Sequence, residues 1–488
     1  MNRYVVRGAA VGALGGLLFG FDTAVISGTT AALRQLYNLS PRDLGFTVSI
    51  ALCGTVIGAI AAGPLEGRYG ARLMLRVMAL LYLVSAVGCA FALDWRSLLA
   101  ARLIGGLGIG GSSVLGPVYI AEISPARLRG RFVGTFQINI VIGVLAAYLS
   151  NYLIACARTG VMEWRWDFGV AALPALLFFL LLFTIPPSAR WLASKGRLAE
   201  AEETLRLMGS ANPQQELREI TDALKQKVSL QSDPLFRRRY SKPIFLAVSI
   251  AIFNQLSGIN AIIYYLNDIF ALGGFSKLSG NLQAVAVGCM NLLATFLGMA
   301  LIDRIGRKSL LLVGSVGMTV SLAGVAVVFS SGAHHGCLPL LLVTYIFFFA
   351  ISQGSVIWVY LSEVFPTQVR GKGQGLGSST HWIMNALISA IFPVMAKSST
   401  AFPFRVFSLV MVAQFFVVYF LYPETKGLTL EQLQEKLGIE DHPASELYQP
   451  ASSQIRSVSL PQFQGRLEVR DKLDNTFSRL AKRTRRTE

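Results

Sequence analysis

The chain has 488 residues, of which 53% are hydrophobic and 15% are charged, and its mean hydropathy is +0.53. One soluble core could not bury that much apolar surface, so the composition indicates an integral membrane protein and excludes a soluble globular domain. The formal net charge of +17 would suggest nucleic-acid binding in a soluble protein, but the basic residues lie in short segments between apolar stretches, so we expect no nucleic-acid partner.

Apolar stretches of about 20 residues recur along the chain, each long enough to cross roughly 30 Å of hydrocarbon as a helix. We predict twelve such spans and number them 1 to 12. Span 1 has no small-residue cleavage site after a short apolar core, so we interpret it as a retained helix and not as a signal peptide. The predicted extents are 8–30, 45–65, 74–93, 98–120, 132–153, 168–187, 243–270, 282–302, 309–330, 338–362, 375–397 and 403–422.

Span 1 carries a carboxylate, Asp22, within the stretch LLFGFDTAVIS. A charged side chain at this depth is costly, so such a residue is usually paired, neutral or directed at a cavity. The best-placed partner is Arg102, which we expect in the middle or cytoplasmic part of span 4. Proximity to Arg102 favours the carboxylate and burial favours the protonated acid, so a shape change that separates the two would switch proton affinity. The alternative is a permanent structural salt bridge between spans 1 and 4.

Basic residues follow each even-numbered span up to span 10. By the positive-inside rule these segments are cytoplasmic, so both termini are predicted to lie in the cytoplasm. The predicted outer loops are compact, which fits a plasma membrane, and in a bacterium the inner membrane. The residues concerned are Arg68, Arg72, Arg76, Arg127, Arg129, Arg131, Arg304, Arg307, Lys308, Arg370 and Lys372.

Two polar segments complete the predicted organisation. Between spans 6 and 7, GRLAEAEETLRLM and QQELREITDALKQK have apolar positions at helical spacing, which predicts short amphipathic cytoplasmic helices. After span 12, LTLEQLQEKLG is predicted to be helical, and we expect the last forty or so residues to be largely disordered. The chain therefore divides into a six-helix bundle at 1–190, a cytoplasmic helical linker at 191–242, a second six-helix bundle at 243–422 and a cytoplasmic tail at 423–488.

The two bundles repeat one another. EISPARLRG at 122–130 matches EVFPTQVRG at 363–371 in its acid, its proline and its RG pair, and RYGAR at 68–72 corresponds to RIGRK at 304–308. Two similar bundles suit alternating access about a site near the membrane midplane. The matched acids and arginines favour a gating charge network, although arginines at this level can equally serve only to set topology. The candidate members are Glu66, Arg68, Arg72, Glu122, Arg129, Asp303, Arg304, Arg307, Glu363 and Arg370.

Seven motifs occur in order and at matching places relative to the spans: GGLLFGFDTAVISG, RLIGGLGIGG, YIAEISPARLRG, NQLSGINAIIYY, DRIGRKSL, WVYLSEVFPTQVRGKG and YPETKG. Together they resemble the sugar porter family of the major facilitator superfamily over nearly all of residues 8–430. The resemblance implies an all-α integral membrane protein with twelve transmembrane helices in two pseudo-symmetric bundles and short cytoplasmic helices between the halves. Two loops depart from the family pattern. Gly67 and Ala71 replace an acid and a basic residue, Glu66 taking over from that acid, and PPSARWL lacks the usual glutamate and second proline.

The resemblance also implies that an acid at the position of Asp22 couples sugar entry to protons, since passive facilitators typically have an amide there. Amide groups and aromatic planes match the hydroxyls and weakly apolar faces of a sugar, although a single amide in a span can equally bond another helix. His381 stands where glutamine is expected and could contact sugar, titrate, or simply be satisfied by a neighbouring helix. The implied sugar contacts are Gln137, Gln255, Asn260, Asn291 and Trp358, together with Asn254, Phe19, Trp382 and Asn385.

We therefore predict a secondary active transporter that imports a monosaccharide, hexose or pentose, with protons. The alternatives are a passive sugar facilitator and a non-transporting sugar sensor that signals through its basic tail. The sequence contains no Walker loop, zinc-ligand cluster or paired catalytic carboxylates, so we predict no enzymatic activity, no cofactor and no metal. The predicted partners are a small-molecule sugar, protons and the lipid bilayer, and the chain is predicted to be a monomer.

Overall fold

The computed structural model describes residues 2–125, 128–229, 233–366, 368–428 and 430–439. These ranges contain twelve helices long and apolar enough to cross a membrane and no strand, which confirms the predicted fold class. As spans 1 to 12 they run Arg3–Leu36, Pro41–Tyr69, Ala71–Ala90, Trp95–Ile123, Arg129–Ala157, Gly160–Leu181, Arg238–Tyr264, Lys277–Ile305, Arg307–Ser331, His335–Glu363, Arg370–Ser398 and Phe402–Leu421.

Local side-chain chemistry sets where several spans begin. Ser40 accepts a hydrogen bond from the Asp43 N–H at 3.2 Å and Asp43 accepts one from the Ser40 N–H, so the start of span 2 is capped in both directions. Asp94 accepts from the Ser97 N–H at 2.7 Å and caps span 4. The second cap fixes the depth of every later residue in span 4, including Arg102.

Span 6 differs most from its predicted extent. The helical segment begins at Gly160 and ends at Leu181, whereas the hydropathy pattern predicted 168–187. At the end of the segment Pro186 and Pro187 cannot donate the backbone N–H that a helix interior needs, so the apolar run continues there without a helix. At its start Trp164 is buried, which holds the first turns against the rest of the fold.

The two halves turn between their second and third spans in the same way. Gly70 has φ 85° and ψ 148°, Gly306 has φ 100° and ψ 162°, and a new helix starts immediately after each. Positive φ favours glycine. A Cβ on Gly70 would crowd Trp191, and one on Gly306 would crowd Glu424. Each turn is therefore covered by the segment that follows the last span of its own half, which supports the internal repeat.

Three short helices lie between spans 6 and 7, at Ala189–Ser194, Leu198–Leu207 and Pro213–Ser229, and a fourth lies at Leu430–Leu437. Asn2 donates to the Leu207 carbonyl at 2.9 Å and Lys372 donates to the Asp233 carbonyl at 2.9 Å, so these segments gather at one end of the molecule. We call this end the linker face and the opposite end the far face. The tail predicted to be disordered lies, from residue 440 onward, outside the described residues.

Spans 2 and 11, one from each half, are in contact near the far face and have open space beside their linker-face ends. Spans 2 and 11 are pressed together near the far face, where the Ala390 carbonyl lies against Gly45 and leaves no room for a side chain. At the other end of the same two helices, no atom would come within 4 Å of a Cβ added to Gly67 or Gly371. The space between these two spans is therefore open toward the linker face, whereas spans 5 and 8 stay in contact there, with Met299 against Gly134.

Candidate functional site

Asp22 and Arg102 form a direct ion pair inside the first half. Arg102 Nη1 lies 2.7 Å from Asp22 Oδ1, and the arginine side chain is 3% exposed. The structure thus pairs Asp22 with Arg102, the partner that the sequence predicted. The predicted depth is wrong, because span 4 starts at the capped Trp95 and Arg102 comes early in it, nearer the far face than the linker face.

A small cavity adjoins this pair. Its volume is about 10 Å³, close to the space that one water molecule needs, and its walls include Tyr82, Ser85, Cys89 and Phe168. The Arg102 guanidinium lies over the Phe168 ring, 5.6 Å from its centre, and among the described residues its Nε atom has no hydrogen-bond partner. The carboxylate is thus paired with a buried cation in a mostly apolar setting, next to room for a single proton carrier.

Four polar residues of spans 7 and 11 form one connected network. Gln255 Nε2 donates to Asn254 Oδ1 at 2.9 Å and lies 3.2 Å from His381 Nδ1. Asn260 Nδ2 donates to Gln255 Oε1 at 2.8 Å. Gln255 is at the centre of this amide network. A ligand hydroxyl that enters the network can replace one of these hydrogen bonds with one of its own, because it both donates and accepts.

An interruption of span 7 brings Gln255 and Asn260 together. The helix Ser241–Leu256 stops and resumes at Ile259–Tyr264, with Gly258 at φ 87° between them. Residues five apart on an unbroken helix point about 140° away from each other. The carbonyl of Ser257 freed by the break accepts a hydrogen bond from the Tyr345 hydroxyl at 3.0 Å, so this backbone group is not left unpaired in the membrane.

Aromatic rings continue the network across both halves. The centres of Trp358 and His381 are 5.2 Å apart, those of His381 and Trp382 are 5.3 Å apart, and those of Trp382 and Phe19 are 5.4 Å apart. Trp358 is 40% exposed, whereas Trp382 is buried. The row of rings therefore runs from an accessible surface in the second half to span 1 of the first half.

The remaining predicted contacts, on spans 5, 8 and 11, differ in how far their side chains are already hydrogen-bonded. Asn385 is buried and donates to the Tyr264 hydroxyl at 3.3 Å. Gln137 and Asn291 are half-buried, on spans 5 and 8. Gln137 forms no hydrogen bond with the residues that the structure describes, so its amide is available to a ligand.

Two buried glutamines that the sequence argument missed extend the amide network. Gln353 and Gln414 are fully buried, and Gln353 Nε2 donates to Gln414 Oε1 at 2.5 Å. Asn254 Nδ2 lies 3.5 Å from Gln353 Oε1. Gln353 sits in a π-helical turn, Ala350–Gly354, a feature common at functional sites and invisible in the amino-acid pattern. In the sequence, the only indication of a role for either glutamine was an isolated amide side chain within an apolar span.

At the linker face of the second half, Arg307 joins two acids. Its guanidinium lies 3.0 Å from Asp303 and 2.8 Å from Glu363, and Glu363 also accepts from the Thr425 hydroxyl at 2.6 Å. Glu424 accepts from the N–H groups of Arg307 and Lys308 at 2.9 and 3.0 Å. Burial alone would raise the pKa of Glu424, but these and two further backbone N–H groups hold that pKa below its usual value.

The first half arranges its charges differently. Arg72 donates to the Ile185 carbonyl at 2.9 Å, and Arg68 lies over the ring of Tyr69. The loop after span 6 has no acid to match Glu424, as the motif PPSARWL predicted, and no side chain caps the start of span 3. The half that carries Asp22 thus has the less tightly tied linker-face turn.

Arg129 and Arg370 occupy equivalent positions in the two halves. Arg129 Nε donates to the Ala121 carbonyl at 3.1 Å, and Arg370 Nε donates to the Phe365 carbonyl at 3.2 Å. Arg304 accepts through its carbonyl from Lys426 Nζ at 2.5 Å. Of the predicted network residues, Asp303, Arg307 and Glu363 therefore form one ion-paired cluster at the linker face of the second half.

Comparison with known proteins places this geometry in a family. Residues 8–437 match the family described as sugar (and other) transporters. The chain is 35% identical over 446 residues to the arabinose-proton symporter of Bacillus subtilis, covering 90% of this chain and 96% of that protein. It is 36% identical over 473 residues to the D-xylose-proton symporter of Escherichia coli K12, covering 89% and 96%.

The fold is similar to solved structures of the xylose transporter XylE from E. coli. The inward open conformation gives a TM-score of 0.79 at 34% identity, covering 89% of this chain and 100% of that one. The form bound to 6-bromo-6-deoxy-D-glucose gives a TM-score of 0.73. Since the family match spans most of the sequence and the relatives are aligned almost end to end, the chain belongs to the sugar porter family of the major facilitator superfamily.

Proposed function

We propose that this protein imports a monosaccharide together with protons by alternating access. The observation that carries the proposal is the pairing of two sites in one molecule: a buried, ion-paired carboxylate at Asp22 in the first half and an amide and aromatic cluster centred on Gln255 in the second. The related symporters named for arabinose and xylose support the substrate class. We infer that the sugar is bound and released unchanged, without catalysis.

The Asp22 pair supplies the proton chemistry. While Arg102 stays at 2.7 Å the carboxylate is stabilised as an anion. When the spans of the first half rearrange and the distance grows, an isolated carboxylate in this apolar setting takes up a proton, because a buried unpaired charge is far more costly than a neutral acid. Return of the arginine releases the proton. The ion pair thus changes its proton occupancy with the conformation of the first half.

The second half supplies sugar recognition. Gln255, Asn260 and Asn254 together offer donors and acceptors to neighbouring hydroxyls, and Trp358 offers a flat face to the ring of the sugar. The further contacts that we propose are Gln137, Asn291, Trp382, Asn385, Phe19 and His381. The Phe19 ring, from span 1, lies beside the Trp382 ring and so provides a physical link between sugar occupancy and the helix that carries Asp22.

We further propose that the linker face is cytoplasmic and that the chain is a monomer in the plasma membrane. The arginines of the linker face support this orientation through the positive-inside rule. The open space at the linker face then corresponds to a carrier that faces the cytoplasm, and the bundles 1–190 and 243–422 rock as two bodies joined by residues 191–242. The TM-score of 0.79 with the inward open form of the E. coli xylose transporter supports this state.

Vesicles carrying the purified chain test the proposal directly. A panel of radiolabelled pentoses, hexoses and polyols is offered with and without an inward proton gradient. We expect at least one sugar to be concentrated inside only when the gradient is present. Equilibration without accumulation would instead identify a passive facilitator, and binding without uptake would identify a sensor.

Two ion pairs join the halves at the far face, and their loss should shift the conformational equilibrium. Arg34 lies 3.6 Å from Asp268, and Lys277 lies 2.9 Å from Glu163. In each pair the basic side chain is about half exposed and the acidic one is mostly buried. At about 0.2–1 kcal/mol for each pair, Asp268→Asn combined with Lys277→Gln should raise the outward-facing fraction by about fivefold.

Spin labels at position 36, on the far end of span 1, and at position 272, on the short helix Leu266–Leu272 that follows span 7, would report this shift as a longer distance. The matched control is Arg206→Gln, which breaks an ion pair with Glu202 inside a single helix. An unchanged distance distribution in the double variant would show that the far-face pairs do not hold this state.

The charged residues at the linker face should stabilise the opposite state from the one that the far-face ion pairs stabilise. We predict that Glu122, Arg129, Glu363 and Arg370 make charge pairs when the carrier faces outward and lose them when it faces inward. Arg129→Gln and Arg370→Gln should then bias the protein inward, because the outward state loses its latch. Accessibility labelling of cysteines in the outer and inner cavities measures the bias, and no change in either variant would rule the latch out.

A further inference from the structure

A groove on the outside of the second half, unrelated to the sugar and proton sites, lies between spans 9 and 12 near the far face. Its volume is about 600 Å³, within the usual range for ligand pockets. Its walls are Ala323, Ala326 and Val327 on span 9 and Leu409 and Val412 on span 12. The part of the groove that these five residues line is therefore apolar.

The walls face the bilayer. Val327 is 64% exposed and Leu409 is 71% exposed, although both lie within helices that cross the membrane. Seven residues separate Ala323 from Ser330, so the groove extends about 10 Å along the helices from its far-face end. At that depth the surroundings are hydrocarbon, and the small side chains of Ala323 and Ala326 leave space that an acyl chain can fill.

The far-face end of the groove is polar and cationic. Arg405 is exposed there and donates from Nη2 to the Ser330 hydroxyl at 2.5 Å. No carboxylate among the described residues forms an ion pair with Arg405. Ser331 adds a further hydroxyl at this end, whereas the Ser408 hydroxyl donates to the Thr319 carbonyl at 3.0 Å, deeper in the groove.

The position of Arg405 within span 12 strengthens this point. The helix runs Phe402–Leu421, so Arg405 lies in its first turn, which contains no acid and has no capping side chain. The N-terminus of a helix carries a positive partial charge, and a cation there is unfavourable unless an anion is nearby. The charge at the head of the groove is thus complementary to an anionic group.

We propose that this groove is a binding site for an anionic phospholipid, with the phosphate at Arg405 and Ser330 and one acyl chain along Ala326 and Leu409. An apolar channel headed by an unpaired cation at the level of the headgroups matches the two parts of such a lipid. A transmembrane helix of another chain would fill the walls but would leave Arg405 without its counter-charge.

Native mass spectrometry of the full chain in detergent tests the assignment. Phosphatidylglycerol and phosphatidylcholine with identical acyl chains are titrated against wild type, Arg405→Gln and the control Arg158→Gln, an exposed arginine at the far face of the first half. We expect wild type and Arg158→Gln to prefer phosphatidylglycerol by about fivefold, and Arg405→Gln to lose that preference. The proposal would be overturned if all three proteins kept the preference for phosphatidylglycerol, or if Arg158→Gln lost it as fully as Arg405→Gln.

A second variant separates the groove from its charge. Ala323 is exposed, so Ala323→Trp should fill the groove without disturbing the core, and it should weaken phosphatidylglycerol binding although Arg405 remains. Unchanged binding would show that the acyl channel is not used. Displacement of the lipid by millimolar inorganic phosphate, or a dimer that disappears in Ala323→Trp with no bound lipid, would also overturn the assignment.

Discussion

Replacing Asp22 by asparagine should abolish the accumulation of sugar while leaving sugar binding intact. The amide has nearly the size of the carboxylate and can still accept from Arg102, so the packing of span 1 against span 4 should survive. It can neither take up nor release a proton. With one proton per sugar, an imposed gradient of two pH units supports about a hundredfold accumulation, and in Asp22→Asn the ratio should fall to one.

Three measurements on the same vesicles separate coupling from folding. Net uptake driven by the gradient should disappear, exchange of labelled for unlabelled sugar between preloaded compartments should persist, and equilibrium binding should remain close to that of wild type. The control is Asp167→Asn, the same substitution at a buried carboxyl group of span 6, which has no role in the ion pair. This variant should still concentrate sugar.

Wild-type accumulation by Asp22→Asn would make the ion pair structural. The coupling group would then have to be sought at His381 or Glu122, the next candidates in the sequence. Loss of accumulation in both Asp22→Asn and Asp167→Asn would show that the first half tolerates neither substitution. The specific role of Asp22 would then be withdrawn.

Gln255→Ala should have the opposite effect, weakening sugar binding by about 1–3 kcal/mol, or roughly 5- to 150-fold, while coupling remains. Gln255 bonds Asn254 and Asn260 directly and lies against His381, so its removal leaves partners unsatisfied and removes a donor and an acceptor from the sugar. Titration calorimetry with the sugar identified by the uptake panel measures the loss. At saturating sugar, uptake should still require the proton gradient.

Asn139→Ala provides the matched control for that measurement. Asn139 is an amide on span 5, but its side chain donates to the Thr135 carbonyl of its own helix at 2.9 Å. It is two residues from Gln137 and so lies about 200° around the helix from it. Affinity should be unchanged in this variant. An equal loss in both, or no loss in Gln255→Ala when thermal unfolding shows an intact fold, would remove Gln255 from the sugar site.

These two predictions divide the molecule by function, one half for coupling and the other for recognition. The division requires a physical connection, and the structure offers one through Phe19 and Trp382, whose ring centres are 5.4 Å apart. Phe19 precedes Asp22 by less than one helical turn. A sugar that moves Trp382 would therefore press on the helix that carries the proton-binding carboxylate.

The sequence alone determined the class of structure. In hydrocarbon a backbone must satisfy its hydrogen bonds within each segment, so twelve apolar stretches of sufficient length leave helices as the natural solution, and the structure contains all twelve. The repeated loop motifs determined the two-fold organisation, and Gly70 and Gly306 later proved to make the same turn. The family followed from motifs in a fixed order.

Only the tertiary structure decided which polar side chains meet. Hydropathy indicates that Asp22 and Arg102 lie within apolar spans but carries no information on how each helix is rotated or how deep each residue sits. The cap at Asp94 sets Arg102 closer to the far face than the sequence predicted. Gln255 and Asn260 meet only because span 7 breaks at Gly258, where the Phe407 ring leaves no room for a side chain. Gln353 joins them through a π-helical turn. Such contacts depend on how side chains pack between helices, and the pattern of residues along a single sequence does not specify that packing.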